Sequence, residues 1–245
     1  MKRSIGIFPT YSAPNTLQST QNDRVNWAAT LPVRGFTSTT WMDGALATRA
    51  RIIAGIQQAV ASVQSGDSLA LVFCGHGSTY GGNQCIVGAD LQPVRDYEIA
   101  AMLSLLPATA KKDIILNCCY AGTGSYAVPI AEKKAAPAID QSIFPQVFTG
   151  KLKIPHETAY PQMDRSAIVP VWREWAACGP TQISYGGLIN QKMNSLFTAY
   201  LAWALRNYPT KTAAELMAIV KPYVMAVKPA QVPQLTGPDQ AAVPL

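Results

Sequence analysis

The chain has no hydrophobic run near the roughly 18 residues that a membrane-spanning helix requires. Its basic start, Met1-Lys2-Arg3, leads into a short apolar stretch, Ile5 to Phe8, that ends at Pro9. That pattern reads as a first strand and not as a signal peptide. Cysteine is sparse and odd in number: five, scattered, with no Cys-x-x-Cys pair. Such usage excludes the disulfide framework of a small secreted domain and points to a reducing cytoplasm. Lys and Arg total 20 against 14 Asp and Glu, a net charge of +6, yet they form no stripe interleaved with aromatic residues. Nucleic acid is therefore not expected as a partner, and the excess reads as a solvated basic surface. There is no internal repeat. Histidine is scarcer still, with two in 245 residues, His76 and His156.

What the chain has in quantity is apolar residues, 49% of the total, enough to bury one large α/β core. Apolar runs alternate with helical patterns, which predicts parallel strands joined by crossover helices. Strands are expected at Ser4 to Phe8, Phe36 to Met42, Ser68 to Cys74, Asp113 to Cys118 and Val171 to Ala177. Helices are expected at Asp23 to Leu31, Thr48 to Ser65, Asp96 to Leu106, Ser195 to Asn207 and Thr212 to Val227. Thr48 and Asp96 suit N-caps, and Pro107 and Pro209 stand just past helix ends. The fold class is α/β: a single domain with a mostly parallel central sheet and helices on both faces. Residues Thr123 to Pro170 lose the periodicity and read as a long loop or linker. The Pro-rich tail, KPAQVPQLTGPDQAAVPL, is expected to wrap the surface rather than extend the sheet.

Two stretches carry chemistry. In DSLALVFCGHGST, an apolar strand ends at His76, which is bracketed by Gly75 and Gly77. Reactive groups of open parallel sheets collect beyond the carboxyl ends of the strands. Glycines on both sides permit unusual backbone angles and close approach, neither of which a packed core histidine requires. His156 lies among prolines and reads as surface. In DIILNCCYAGTG, Cys118 continues the strand as a small hydrophobe, and Cys119 is the first residue off its end. A thiol beside an imidazole on the adjacent strand end is an arrangement for nucleophilic catalysis, in which the histidine takes the proton and the thiolate attacks a carbonyl. Gly122 would leave room for a substrate backbone, and the N–H groups of Gly77 and Cys119 would face the oxyanion. A zinc site would have His76, Cys74, Cys119 and Cys178 to draw on, but their spacing gives it no support, and no metal is expected.

These stretches resemble the caspase-like cysteine peptidases and, within them, the metacaspases and their bacterial relatives, the orthocaspases. The family's S-G-H-G-S motif corresponds to CGHGS at Cys74 to Ser78, and its D-x-C-H-S-G motif to NCCYAG at Asn117 to Gly122. RSIGI, QNDRVNWAATL, GFTSTTWMDGALATRARI, WAACGPTQIS, NSLFTAYLAWAL and QVPQLTG match further family segments in the same order. The resemblance spans nearly the whole chain and implies His76 as base and Cys119 as nucleophile. It also implies a large-subunit-like region at about 1–122, a junction at 123–170 where many relatives are cleaved, and a small-subunit-like region at 171–245. The pocket for the residue before the scissile bond would be lined by Asp23, Cys74 and Asn117.

Three departures from the family pattern matter. The family's His-Ser after the nucleophile is Tyr120-Ala121 here, and the acidic residue two before the nucleophile is Asn117, which removes one charge from the pocket. The acid-rich loop of calcium-dependent members is reduced to TYGGNQCIVGAD, followed by Asp96 and Glu98. Calcium takes about six to eight oxygens, several from carboxylates, so no cofactor, and calcium independence, is expected. The reading is a cytoplasmic cysteine endopeptidase that acts on protein or peptide substrates after Arg or Lys, without nucleic acid or membrane as partner. Two alternatives stand beside it: a catalytically silent caspase-like scaffold or binding module, and a thiol acyltransferase. The sequence assigns no oligomeric state.

Overall fold

A strand inside a parallel sheet must be apolar on both faces, and Ser68–Cys74, SLALVFC, is buried at every position. Around it the chain builds eleven strands and five helices among the described residues, which are 1–13, 15–80, 83–121 and 172–245 of a computed structural model. In chain order these are β1 (Lys2–Pro9), α1 (Ser19–Val33), β2 (Ser38–Gly44), α2 (Arg49–Ser62), β3 (Ser68–Cys74), β4 (Gly77–Tyr80), β5 (Asn83–Val87), β6 (Pro93–Arg95), α3 (Asp96–Leu103), β7 (Lys111–Asn117), β8 (Arg173–Ala176), β9 (Gly186–Ile189), β10 (Lys192–Ser195), α4 (Leu196–Asn207), α5 (Ala213–Val227) and β11 (Gln234–Thr236). His156, Gly122 and the expected linker at 123–170 lie outside the described residues.

The central sheet has the order β11-β8-β7-β3-β1-β2, parallel throughout except for β11. It is the expected α/β plan. Period-2 alternation along the strands divides the core into two layers. Leu71 and Phe73 of β3 and Ile114 and Leu116 of β7 pack with Ile52 and Ile56 of α2 and Leu103 of α3. Val72, Ile115 and Trp175 face the other way, toward Trp27 and Leu31 of α1, Leu201 of α4 and Val220 of α5. The register of β7 on β8 is pinned by a buried ion pair: Arg173 donates to Asp113 at 2.6 and 2.7 Å, and Trp175 Nε1 adds a third bond at 2.7 Å. A fork this specific fixes alignment more than it adds stability.

Several expectations needed correction. Helix α1 begins at Ser19 rather than at Asp23, which places Asp23 in its second turn. The N-cap of α3 is Arg95 rather than Asp96, with Asp96 as the first helical residue and Glu98 at N3. The tail does extend the sheet: Gln234–Thr236 pairs antiparallel with β8 as the edge strand β11. Pro233 stands just before it, at an edge where a missing N–H is tolerated. Past Thr236 the tail wraps as expected, with Ala213 and Ala214 of α5 donating to Ala242 and Gln240. Two small elements escaped the sequence reading, the antiparallel β4-β5-β6 sheet and the β9-β10 ribbon. No described helix is long and apolar enough to cross a membrane.

Candidate active site

Strands β3 and β7 are neighbours whose last residues, Cys74 and Asn117, are register partners. His76 and Cys119 each follow two residues later, so the pairing carries them off the same end of the sheet together. Gly75 N–H donates to Asn117 O at 3.2 Å and holds the two chains side by side past the strand ends. Neither flanking glycine has a positive φ; both are required by close approach. A Cβ on Gly75 would meet the Tyr11 hydroxyl and the Phe73 ring at 2.7 Å, and one on Gly77 would overlap the Cys119 carbonyl oxygen. The backbone strain sits instead at Tyr120, directly after the cysteine, with φ 58°, a left-handed conformation in a non-glycine residue. Its N–H donates to Gln182 O at 2.9 Å, which anchors that turn.

His76 is buried and held at three points. Its N–H donates to the Tyr11 hydroxyl at 3.0 Å, its carbonyl accepts from Val87 N–H, and its ring lies 4.3 Å from the Tyr11 ring. Tyr11 in turn donates to Val87 O at 2.8 Å. Imidazole Nε2 is 2.7 Å from Asn15 O. A carbonyl only accepts, so Nε2 carries the proton and Nδ1 is the basic atom of the neutral ring. Burial lowers the His76 pKa, partly opposed by the Asn15 carbonyl, so the ring is neutral at pH 7.

Cys119 is partly exposed, whereas Cys118 is buried in the core beneath it. The Cys119 thiol faces Ser184 O at 3.9 Å. Burial pushes its pKa up to about 11, partly opposed by backbone hydrogen bonding at Ser184 and at the cysteine itself. At rest the pair is a neutral thiol and a neutral imidazole, and not a preformed ion pair.

His76 and Cys119 line one small cleft of about 40 Å³, together with Leu17, Ser19 and Thr20 from the entry to α1, Ser184 to Gly186, and Met193 and Ser195 of β10. Asn117 also lines it. Of the other expected pocket residues, Asp23 lies directly beneath, fully buried. It accepts from Ser195 N–H at 3.0 Å and Ser195 Oγ at 2.5 Å, with Asn117 Nδ2 at 3.5 Å. Burial raises its pKa to about 7, against the hydrogen bonds from Ser195. Cys74 does not reach the cleft, since its Sγ is buried 3.4 Å from Thr198 Oγ1. Sequence reasoning missed Tyr11, Asn15, Ser184 and Ser195. Asn15 acts through a main-chain carbonyl and leaves no side-chain signal.

The acids of the shortened calcium-type loop and the helix start after it are committed to other contacts. Asp90 accepts from Arg49 N–H at 3.0 Å, Glu98 pairs with Arg49, and Asp96 Oδ1 accepts from Tyr97 N–H at 2.8 Å. Among the described residues, no group of three His, Cys, Asp or Glu side chains converges as a metal site.

The model of the caspase domain matches residues 5–241 of the chain. No curated protein sequence matches it. Among the solved structures that share its fold are the following. A protein from Geobacter sulfurreducens has a TM-score of 0.66 at 19% identity, covering 100% of this chain and 97% of its own. Caspase-1 from Spodoptera frugiperda has 0.61 at 17% identity, covering 96% and 86%. The Drosophila initiator caspase Dronc has 0.64 at 10% identity, covering 98% and 81%.

Proposed function

The chain belongs to the caspase-domain family, and on that premise we propose that it is a cysteine endopeptidase of metacaspase or orthocaspase type that cleaves after Arg or Lys. The observation that carries the reading is the shared cleft: His76 and Cys119 leave adjacent parallel strands at one end and line the same cavity, with the Gly77 backbone against the Cys119 carbonyl.

In this mechanism Nδ1 of His76 accepts the Cys119 proton, while Asn15 O holds the opposite N–H and keeps the ring in the competent tautomer. The thiolate attacks the scissile carbonyl. The N–H groups of Gly77 and Cys119 face the oxygen that becomes negative, each contributing about 2.7–4 kcal/mol by analogy with measured oxyanion donors. The C–N bond breaks as the imidazolium protonates the departing amine, and a thioester remains. Water, deprotonated by the same imidazole, then releases the acid and restores the thiol. The raised thiol pKa fits this order, because the proton leaves only when the base takes it.

Asp23 supports the basic preference as the carboxylate beneath the cleft floor. A guanidinium that displaces the Ser195 hydroxyl gains a charge-assisted pair worth about 1.5–3 kcal/mol. A substrate aspartate there would be a buried, unpaired charge. Five cysteines, all unpaired, suit a reducing cytoplasm. The test is a panel of fluorogenic peptides with Arg, Lys, Asn or Asp before the cut, assayed on wild type and Cys119→Ala. Cleavage of Arg and Lys peptides, lost in the variant, is expected. Binding of those peptides without turnover by wild type would favour a silent scaffold, and transfer to an added amine in preference to water would favour an acyltransferase.

A further inference from the structure

The β9-β10 ribbon has two faces, and the cleft uses one. Ser195, paired with Gly186, and Met193 line the cleft together with Gly186. The alternate residues, Lys192 and Asn194 with Ile189, face the opposite way and form one wall of a second, open groove of about 530 Å³. Its other wall is aromatic. Tyr200 and Trp203 of α4 meet Tyr223 of α5, Tyr200 stacked at 5.4 Å and Trp203 edge-on at 5.7 Å. Tyr223 is 49% exposed despite these contacts.

The charge in this groove is of one sign. Lys192 and Arg206 line it, and among the described residues no carboxylate does. Arg206 directs Nη1 to Thr30 Oγ1 at 2.6 Å and to Asn26 O at 3.3 Å, both neutral partners. Lys192 is exposed and pairs with no acid among the described residues. Elsewhere on this surface a lysine near an acid pairs with it, as Lys211 does with Glu215 at 2.9 Å. Aromatic rings supply sequence-tolerant contact area at low entropy cost. Uncompensated cations beside them select for negative charge. A neutral sugar would want carboxylate acceptors for its hydroxyls, which this groove lacks.

We propose that the groove is a docking site for an acidic, aromatic-containing extended segment of the protein substrate, separate from the residues around the scissile bond. The proposal rests on the peptidase reading for its purpose, since the ribbon is the shared wall of cleft and groove. A chain leaving the cleft over the ribbon edge would reach the groove as an extended segment.

The test uses full-length Cys119→Ala protein, so that binding is read without turnover. The probe is a fluorescein-labelled octapeptide with two glutamates around a tyrosine, followed by anisotropy. Saturable binding is expected. Adding Lys192→Glu or Tyr223→Ala, both at exposed positions, should weaken it about tenfold, as should lysine in place of the glutamates in the probe. In active protein, a long substrate carrying this segment should show a lower KM than a short Arg peptide. Lys192→Glu should raise the long-substrate KM about tenfold at unchanged kcat, with the short peptide unaffected. No saturable binding, equal binding by the variants, or preference for maltohexaose or single-stranded oligothymidylate overturns the docking proposal. Short-peptide cleavage would then leave the peptidase reading intact; conversely, docking in a protein that cleaves nothing sinks that reading alone.

Discussion

The Cα of Gly77 rests against the carbonyl oxygen of Cys119, so closely that a methyl group on Gly77 would overlap it. This contact joins the segment after the histidine to the turn that carries the thiol, and each of the two segments carries a candidate oxyanion donor. Gly77→Ala must push them apart. The sheet core lies behind the contact, so the variant should keep wild-type circular dichroism while kcat/KM falls by about 100-fold or more, at least the effect of losing one oxyanion donor. Unchanged turnover would show that these backbones need not touch for catalysis.

If Asp23 serves the proposed basic specificity, substrate preference should depend on pH. The pKa of its buried carboxyl is raised to about 7, so in the free protein that group is largely neutral below that value and charged above it. An Arg side chain is drawn only to the charged form. The ratio of kcat/KM for Arg peptides to that for an otherwise identical Gln peptide should therefore rise as pH increases through about 7, and Asp23→Asn should flatten it. A ratio independent of pH in wild type would separate Asp23 from specificity.

Tyr11 supports His76 by accepting its N–H and donating to Val87 O. Tyr11→Phe strands both groups in the interior, at a cost of about 1–3 kcal/mol. Each kcal/mol corresponds to about 2–4 °C in Tm for a chain of this size. Because the histidine and not the substrate loses a support, kcat should fall with little change in KM. Steady-state kinetics with a thermal scan checks both.

Much of this was legible in the sequence, for identifiable reasons. Strands β3 and β7 announce themselves because a strand buried on both faces is an unbroken apolar run, and His76 and Cys119 stand out as reactive groups at their ends. The β4-β5-β6 sheet and the β9-β10 ribbon are built from three- to five-residue strands whose partners are set by tertiary pairing, so no local pattern marks them. Asp23 was singled out by resemblance, but its cover by Ser195, 172 residues away in sequence, could not be read locally. The glycines around His76 signal both close approach and unusual backbone angles; they serve the first, while the left-handed angle falls to Tyr120.

Calcium should not be needed. Glu98 forms a direct ion pair with the Arg49 guanidinium, and Asp90 accepts from the Arg49 backbone N–H, so two of the acids that might have gathered a cation are already engaged. Chelation should leave kcat/KM within about twofold, since a calcium site takes about six to eight oxygens. A rise of about tenfold on adding millimolar calcium would mean that these pairs open to bind it.

The central claim, that His76 and Cys119 act as one catalytic unit, is tested most directly by an alanine cycle on an Arg peptide. Cys119→Ala and His76→Ala should each lower kcat by about four orders of magnitude, and the double variant by no more than about threefold beyond either, because groups that act together are lost together. Cys118→Ala, one residue away but facing the core, should remain active. Additive losses in the double variant, or an essential Cys118 beside a dispensable Cys119, would contradict the account.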